Sequence, residues 1–171
     1  MIKKISTEKI FESKWISLHY DRILDDHGLE QMYNVVDFKN ESVVAMVRNG
    51  THLLVTENYR YPINSSQMEF PAGNIEAGGT PEQAAAREVL EETGITIKCK
   101  AAAYSFYPSN GITNQKIHVV IADYVKGLPE AQDEISNCYW MEEANFERKI
   151  CAGAITDGPT LIAYLYGKYI A

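Results

Sequence analysis

The sequence predicts a mixed α/β chain of the α+β kind, and three observations carry that prediction. One segment is a helix marked at both ends, two apolar runs meet at an Asn-Gly pair, and residues 16–21 alternate apolar and polar side chains. The chain has 171 residues, 46% hydrophobic and 23% charged, ordinary proportions for a globular domain with a sizeable core. One domain over residues 1–171 is expected.

In chain order, residues 5–11 and 15–23 read as two short strands. In the second, Ile16, Leu18 and Tyr20 alternate with Ser17, His19 and Asp21. Asp25-Asp26-His27-Gly28 is a turn cluster, and residues 31–38 form the return strand of a hairpin. Residues 42–48 (SVVAMVR) and 52–57 (HLLVTE) are apolar strands parted by Asn49-Gly50, a strong hairpin signal. Residues 81–93 form the helix. Thr80 is its N-cap, Pro81 suits its first turn, Gln83 completes a capping box, and Gly94 supplies the left-handed stop. Three consecutive Ala agree with those caps. Strands are expected over residues 95–105, 117–124 (IHVVIADY, rich in β-branched residues) and 137–141. A helix over 142–152 ends at Gly153.

Composition excludes several classes of function. A net charge of −7 argues against a general nucleic-acid surface, which needs basic patches. The start, MIKKISTEKIFESKW, lacks an apolar signal region, and no run is long enough to span a bilayer, so no membrane partner is expected. Cys99, Cys138 and Cys151 make no CxxC pair or metal spacing, which points to a reduced, cytoplasmic setting.

The chemistry sits on the helix. At about 100° per residue, Glu88, Glu91 and Glu92 share one arc. The small residues Pro81 and Ala84 lie on the same face and leave space above it, while Ala85, Ala86, Val89, Leu90 and Thr93 make the opposite, buried side. Like charges at i,i+3 and i,i+4 cost roughly 0.2–0.5 kcal/mol per pair. Acids in the last turns also oppose the helix dipole. A bound cation reverses both terms, and hard carboxylate oxygens suit Mg²⁺, with Mn²⁺ as a substitute. The helix alone therefore suggests metal-assisted phosphate chemistry.

The residues around the helix give the pattern G-x5-E-x7-R-E-U-x-E-E-x-G-U, with U aliphatic, and this resembles the Nudix hydrolase box. The matching residues are Gly73, Arg87, Glu88, Val89, Glu91, Glu92, Gly94 and Ile95. One position departs: Gly79 stands where the pattern has its first Glu, which leaves Arg87 to find another partner, Glu91 or Glu76. Flanking segments resemble the ADP-ribose and nucleotide-sugar pyrophosphatase branch. They are Asn58-Tyr59-Arg60-Tyr61-Pro62, the Gln67-Met68-Glu69-Phe70-Pro71-Ala72-Gly73 approach to the box, the loop Tyr107-Pro108-Ser109-Asn110-Gly111-Ile112-Thr113-Asn114-Gln115, and a C-terminal helix with Pro159 near its first turn.

That resemblance implies an α/β/α sandwich around a mixed β-sheet, with an additional N-terminal antiparallel sheet. Residues 1–40 would be the extra strands, making contacts across a homodimer, and 41–171 the Nudix core. Metal would be held by Glu88, Glu91, Glu92 and the Ala72 carbonyl. Glu88 and Glu92 would carry catalysis with an acid from the 130–134 loop, Asp133 or Glu134. Arg60, Glu69, Ser109, Asn110, Gln115 and Lys116 would bind substrate, and Trp15, with Tyr20 and Tyr33, would stack on a nucleobase. The implied reaction is Mg²⁺-dependent cleavage of ADP-ribose or a nucleoside diphosphate sugar to a nucleoside monophosphate and a sugar phosphate. Gly79 motivates one alternative, a catalytically weakened nucleotide-sugar binder. A house-cleaning nucleoside triphosphate pyrophosphohydrolase is another.

Overall fold

The computed structural model describes residues 1–100, 104–132 and 135–170. They fall into two compact units: Met1–Glu41 with Tyr107–Lys116, and Ser42–Phe106 with Ile117–Ala171.

The first unit is an antiparallel sheet in the order β1 (Lys3–Glu12), β2 (Ile16–Leu24), β3 (Glu30–Phe38). The β2–β3 register runs from Ile16 opposite Phe38 to Leu24 opposite Glu30. Their turn closes because the Asp25 carboxylate accepts the His27 and Leu29 amides, both at 2.9 Å, and Gly28 takes a φ of +79°. The buried side of β2 is not its apolar set: His19, Asp21 and Ile23 are the residues that bury. Burying the two polar ones is tolerable because they satisfy one another. His19 lies 3.6 Å from both Asp21 and Asp37, and the Thr7 hydroxyl donates to Asp21 at 2.6 Å. The 107–116 loop belongs to this unit. Ile112 O accepts the Val36 amide, Gly111 O accepts the Tyr33 hydroxyl at 2.6 Å, and Asn114 Oδ1 accepts the Phe38 amide at 2.7 Å.

The second unit holds a mixed sheet. Its strands are β4 (Ser42–Asn49), β5 (His52–Arg60), β6 (Ser65–Glu69), β7 (Ala72–Asn74), β8 (Thr96–Cys99), β9 (Tyr104–Phe106), β10 (Ile117–Lys126) and β11 (Asn137–Glu142). The order is β11-β5-β4-β10-β8, with β6 beside β5, β7 beside β4 and β9 beside β10. Only β4 and β10 pair in parallel among the described strands. Among the described residues three α-helices complete the unit: α1 (Pro81–Thr93), α2 (Glu143–Cys151) and α3 (Gly158–Tyr169).

Strand β4 shows how the layers form. Val43, Ala45 and Val47 point to one face and pack with Ala84, Ala85 and Val89 of α1. Val44 and Met46 point to the other and pack with Phe146 of α2 and with Ala163 and Tyr164 of α3. A strand covered on both faces reads as a continuous apolar run, which SVVAMV is. Phe70 and Phe146 stack within the second core, centroids 5.0 Å apart and planes 7° apart.

Helix α1 occupies its expected residues. Thr80 Oγ1 accepts the Gln83 amide at 3.2 Å, Gln83 Oε1 accepts the Thr80 amide at 3.0 Å, and Gly94 sits at φ +69°. Three features differ from the sequence expectation. Strands β6 and β7 were not anticipated, because SSQME and AGN carry no period-2 apolar signal and exist through pairing with β5 and β4. The expected strand over 95–105 is two short strands, with residues 101–103 outside the described residues. The buried stripe of α1 is rotated from the expected one: Leu90 is 49% exposed, whereas Ala84, expected on the acidic face with space above it, is buried against Val43, Ala45 and Val47 of β4 beside Ala85 and Val89.

Candidate active site

Three pieces of backbone meet at one cleft of about 610 Å³ in the second unit. It is lined by Asn58, Tyr59 and Arg60 from the end of β5, by Ala72, Gly73 and Asn74 of β7, and by Glu88, Glu91 and Glu92 of α1, with Ile135 at one side. The three helical acids thus face a common space, together with Ala72.

The short strand β7 brings backbone against the acidic arc. A Cβ on Gly73 would lie 2.0 Å from the Glu88 carboxylate, so only glycine lets that side chain lie where it does. Gly73 has no left-handed φ and lies inside a strand, so its value is close approach.

Arg87 organises the same face. Its guanidinium donates to Glu91 at 2.7 Å, to Glu88 at 2.8 Å and to the Asn74 carbonyl at 2.8 Å, and stands 3.9 Å from Glu76. It therefore ties helix to strand without an acid at position 79. Gly79 borders a smaller hollow of about 140 Å³ with Glu76, Gln83, Ala84 and Arg87.

Electrostatics differ among the acids. Burial, and then the neighbouring Glu88, push the Glu92 carboxyl up to about 8. Burial also raises Glu88, although Arg87 pulls the other way. Glu92 Oε2 is buried with no hydrogen-bond partner among the described residues. Among the described residues no three His, Cys, Asp or Glu side chains form a ready cation cage. The donor set nonetheless fits a hard divalent ion: carboxylate oxygens on one wall, one of them buried and unpartnered.

Beside the cleft, Arg60 grips Glu69 through two contacts: Nε to Oε1 at 2.8 Å, and Nη2 to Oε2. Glu69 is only 3% exposed and also accepts from Asn58 Nδ2 at 3.2 Å, so it holds the two β5 side chains in place from behind. Asp157, the N-cap of α3, accepts the Thr160 amide at 2.9 Å, and burial raises its carboxyl as well.

Trp15, Ser109, Asn110, Gln115 and Lys116, also expected at the site, belong to the first unit. Trp15 is 53% exposed with the Lys14 ammonium 4.4 Å from its ring, and Lys116 lies 3.6 Å from Glu41. Asp133 and Glu134 lie outside the described residues. The chain on either side of them is fixed: the Gln132 amide bonds the Glu92 carbonyl at 3.1 Å, the Glu130 amide bonds the Thr93 carbonyl at 3.1 Å, and Ile135 lines the cleft. Asn58 had no assigned role from the sequence; its only signal was its place two residues before Arg60 on one strand face.

Comparison with known proteins adds the family. The ADP-ribose pyrophosphatase of Bacillus subtilis (strain 168) is 30% identical over 131 residues, covering 77% of this chain and 71% of that protein. The GDP-mannose pyrophosphatase of Yersinia enterocolitica is 27% identical over 98% of this chain and 95% of its own length. A crystal structure described as an ADP compounds hydrolase superposes with a TM-score of 0.82 over 99% of this chain and 97% of that one, at 16% identity, a likeness of fold. The model of the NUDIX domain matches residues 39–157, which span the cleft and both of its walls, and the chain accordingly belongs to the Nudix hydrolase family.

Proposed function

We propose that this hydrolase cleaves the diphosphate of ADP-ribose or a related nucleoside diphosphate sugar. The observation that carries the proposal is the cleft itself: Arg60 on one side, and Glu88, Glu91 and Glu92 on the other, around a space of about 610 Å³, large enough for a diphosphate and part of its substituents. The names of the relatives, one an ADP-ribose pyrophosphatase and one a GDP-mannose pyrophosphatase, support a diphosphate with a sugar on one side and leave the base and sugar to experiment.

Glu88, Glu91, Glu92 and the Ala72 carbonyl would hold Mg²⁺ or Mn²⁺. When bound, such an ion neutralises phosphate charge and makes water more acidic. The chain's own groups do the rest. Arg60 presents a permanent positive charge toward the phosphoryl oxygens, kept in one orientation by Glu69. Water forms a new P–O bond, the bridging P–O bond breaks, and the departing phosphate carries away the electron pair. Asp133 or Glu134 would take the water's proton, on a loop whose neighbours are tied to the end of α1. The products are a nucleoside monophosphate and a sugar phosphate.

Ser109, Asn110, Gln115 and Lys116 remain candidates for the sugar side, and Trp15 for the base. A homodimer formed through the N-terminal strands is part of the proposal. It is supported by Ile5, Ile10, Phe11 and Trp15, which are each at least 40% exposed on or beside β1. A cytoplasmic setting is supported by three cysteines free of disulfides.

The test is a panel of ADP-ribose, GDP-mannose and nucleoside triphosphates with Mg²⁺, Mn²⁺ or chelator. Metal-dependent release of a monophosphate from a diphosphate sugar is the expected result. Preference for triphosphates, or equal turnover in chelator, contradicts it.

A further inference from the structure

The guanidinium of Arg87 already occupies part of the acidic wall. Its Nη2 donates to Glu88 Oε1 at 2.8 Å and its Nη1 to Glu91 Oε2 at 2.7 Å, so one positive charge answers two of the three helical glutamates that face the cleft. Nη2 also donates to the Asn74 carbonyl at 2.8 Å, which fixes that corner of the group against β7. These contacts fit the lack of a ready cation cage among the described residues: one oxygen of Glu88 and one of Glu91 are committed to nitrogen. A divalent ion on these carboxylates must share them with a guanidinium that repels it.

Another acid stands on the far side of Arg87. Glu76 Oε1 lies 3.9 Å from Arg87 Nε, about 1 Å beyond a charge-assisted hydrogen bond. A turn, not the helix, sets its place: the Gly79 amide donates to the Glu76 carbonyl at 2.9 Å, and Gly78 takes a φ of +80°. The Glu76 side chain is 79% exposed, and Arg87 is its one cation within ion-pairing reach among the described residues. Both side chains border the hollow of about 140 Å³ beside Gly79, open space in which so small a shift fits. Of the two contacts that Arg87 makes to the wall, the one to Glu91 is the cheaper to break. It is an i,i+4 pair with Glu91 51% exposed, whereas Glu88 is 14% exposed, and exposed pairs of that kind contribute little.

We propose that Arg87 is the counter-ion of the empty wall and that Glu76 receives it when a divalent ion binds. The guanidinium gives up Glu91 to the ion and closes its gap to Glu76, while Nη2 stays on the Asn74 carbonyl. This rests on the metal reading above. Glu76 is then a positioning residue: it sets the affinity for the ion through Arg87 and does not touch the ion itself. An amide at position 76 keeps the shape of the side chain and removes the charge that receives the guanidinium.

The test titrates the full chain with Mn²⁺ and no substrate, following free Mn²⁺ by electron paramagnetic resonance. Wild type, Glu76→Gln, Arg87→Gln and the double variant form a cycle. Glu76→Gln should raise the Kd by about fivefold, and by no more than about 1.5-fold when Arg87 is also replaced. An unchanged Kd in Glu76→Gln overturns the proposal. So does an equal rise in both backgrounds, which would mean that Glu76 acts by its charge alone. A wild-type protein that takes up no Mn²⁺ removes the metal reading and this inference with it, an outcome distinct from a wild type that binds Mn²⁺ no better than Glu76→Gln. A crystal structure of the unaltered protein with Mn²⁺ decides independently of how the variants fold. It should show the Arg87 guanidinium hydrogen-bonded to Glu76 and parted from Glu91, and a guanidinium still bonded to Glu91 overturns the proposal.

Discussion

Gly73 and Glu88 show at the residue scale how one side chain fixes the identity of another residue. The Glu88 carboxylate fills the space that a side chain at 73 would need, 2.0 Å from the missing Cβ. In Gly73→Ala the flexible end of Glu88 must move, while β7 has no φ that alanine cannot adopt. The variant should therefore fold with little change in Tm and lose turnover by about 10–100-fold, because a displacement of about 1 Å in a reacting group is that costly. Steady-state kinetics beside a melting curve checks it, and unchanged turnover would mean that the position of Glu88 is unimportant. Much of the site was legible at this scale. Glu88, Glu91 and Glu92 were placed on one arc by helical spacing alone, and they line one cleft. Glu69 was read as a group beside the substrate, whereas the structure shows it almost fully buried and bonded to Arg60 and Asn58. Those contacts pair β5 with β6, and no local pattern reports a partner nine or eleven positions away.

Local signals set the elements. The capping box on α1 is a property of four consecutive residues, so it was readable from sequence and is present in the structure. Thr80→Ala removes the bond to the Gln83 amide and should cost about 1 kcal/mol, or about 2–4 °C in Tm for a protein of this size. A loss below half a degree would mean that the cap is not part of the helix's stability. Phe146 illustrates the tertiary counterpart. It is fully buried, stacked on Phe70 and tilted against Tyr164 at 5.1 Å, and Phe146→Ala should cost about 3–5 kcal/mol in a denaturant titration. Elements whose existence depends on a neighbour were the illegible ones. Strands β6 and β7 are polar or very short, and β2 buries His19 and Asp21 because Thr7 and Asp37 satisfy them, a fact held in other strands.

For the whole molecule, a sheet covered on both faces was legible only through the family resemblance, with β4, β5 and β10 read simply as apolar strands. Strand order was not legible, since it depends on the parallel pairing of Ser42 with Ile117 across a long separation. One polar network links the layers on the α2–α3 side. Arg48 of β4 pairs with Glu143 of α2 through bonds of 2.6 and 2.9 Å, and Tyr164 of α3 donates to Glu143 at 3.2 Å and to Glu147 at 2.6 Å. The Arg48 bond holds the Glu143 carboxyl below its usual 4.5. A lowered folded value means that this contribution is complete above pH 4.5 and is lost as pH falls through the depressed value. Glu143→Gln should therefore lower Tm most at neutral pH and converge with wild type in acid. Parallel melting curves at all pH values would show that the ion pair carries no pH-dependent stability.

In the proposed function, hydrolysis depends on the acidic wall of α1. Its most direct test is ADP-ribose turnover in ¹⁸O-labelled water with saturating Mg²⁺, wild type against Glu92→Gln, with circular dichroism to confirm that both are folded. Wild type should release AMP and a sugar phosphate carrying one label between them, and the variant should be slower by at least about 100-fold. Equal rates in the two proteins would contradict the role given to that wall.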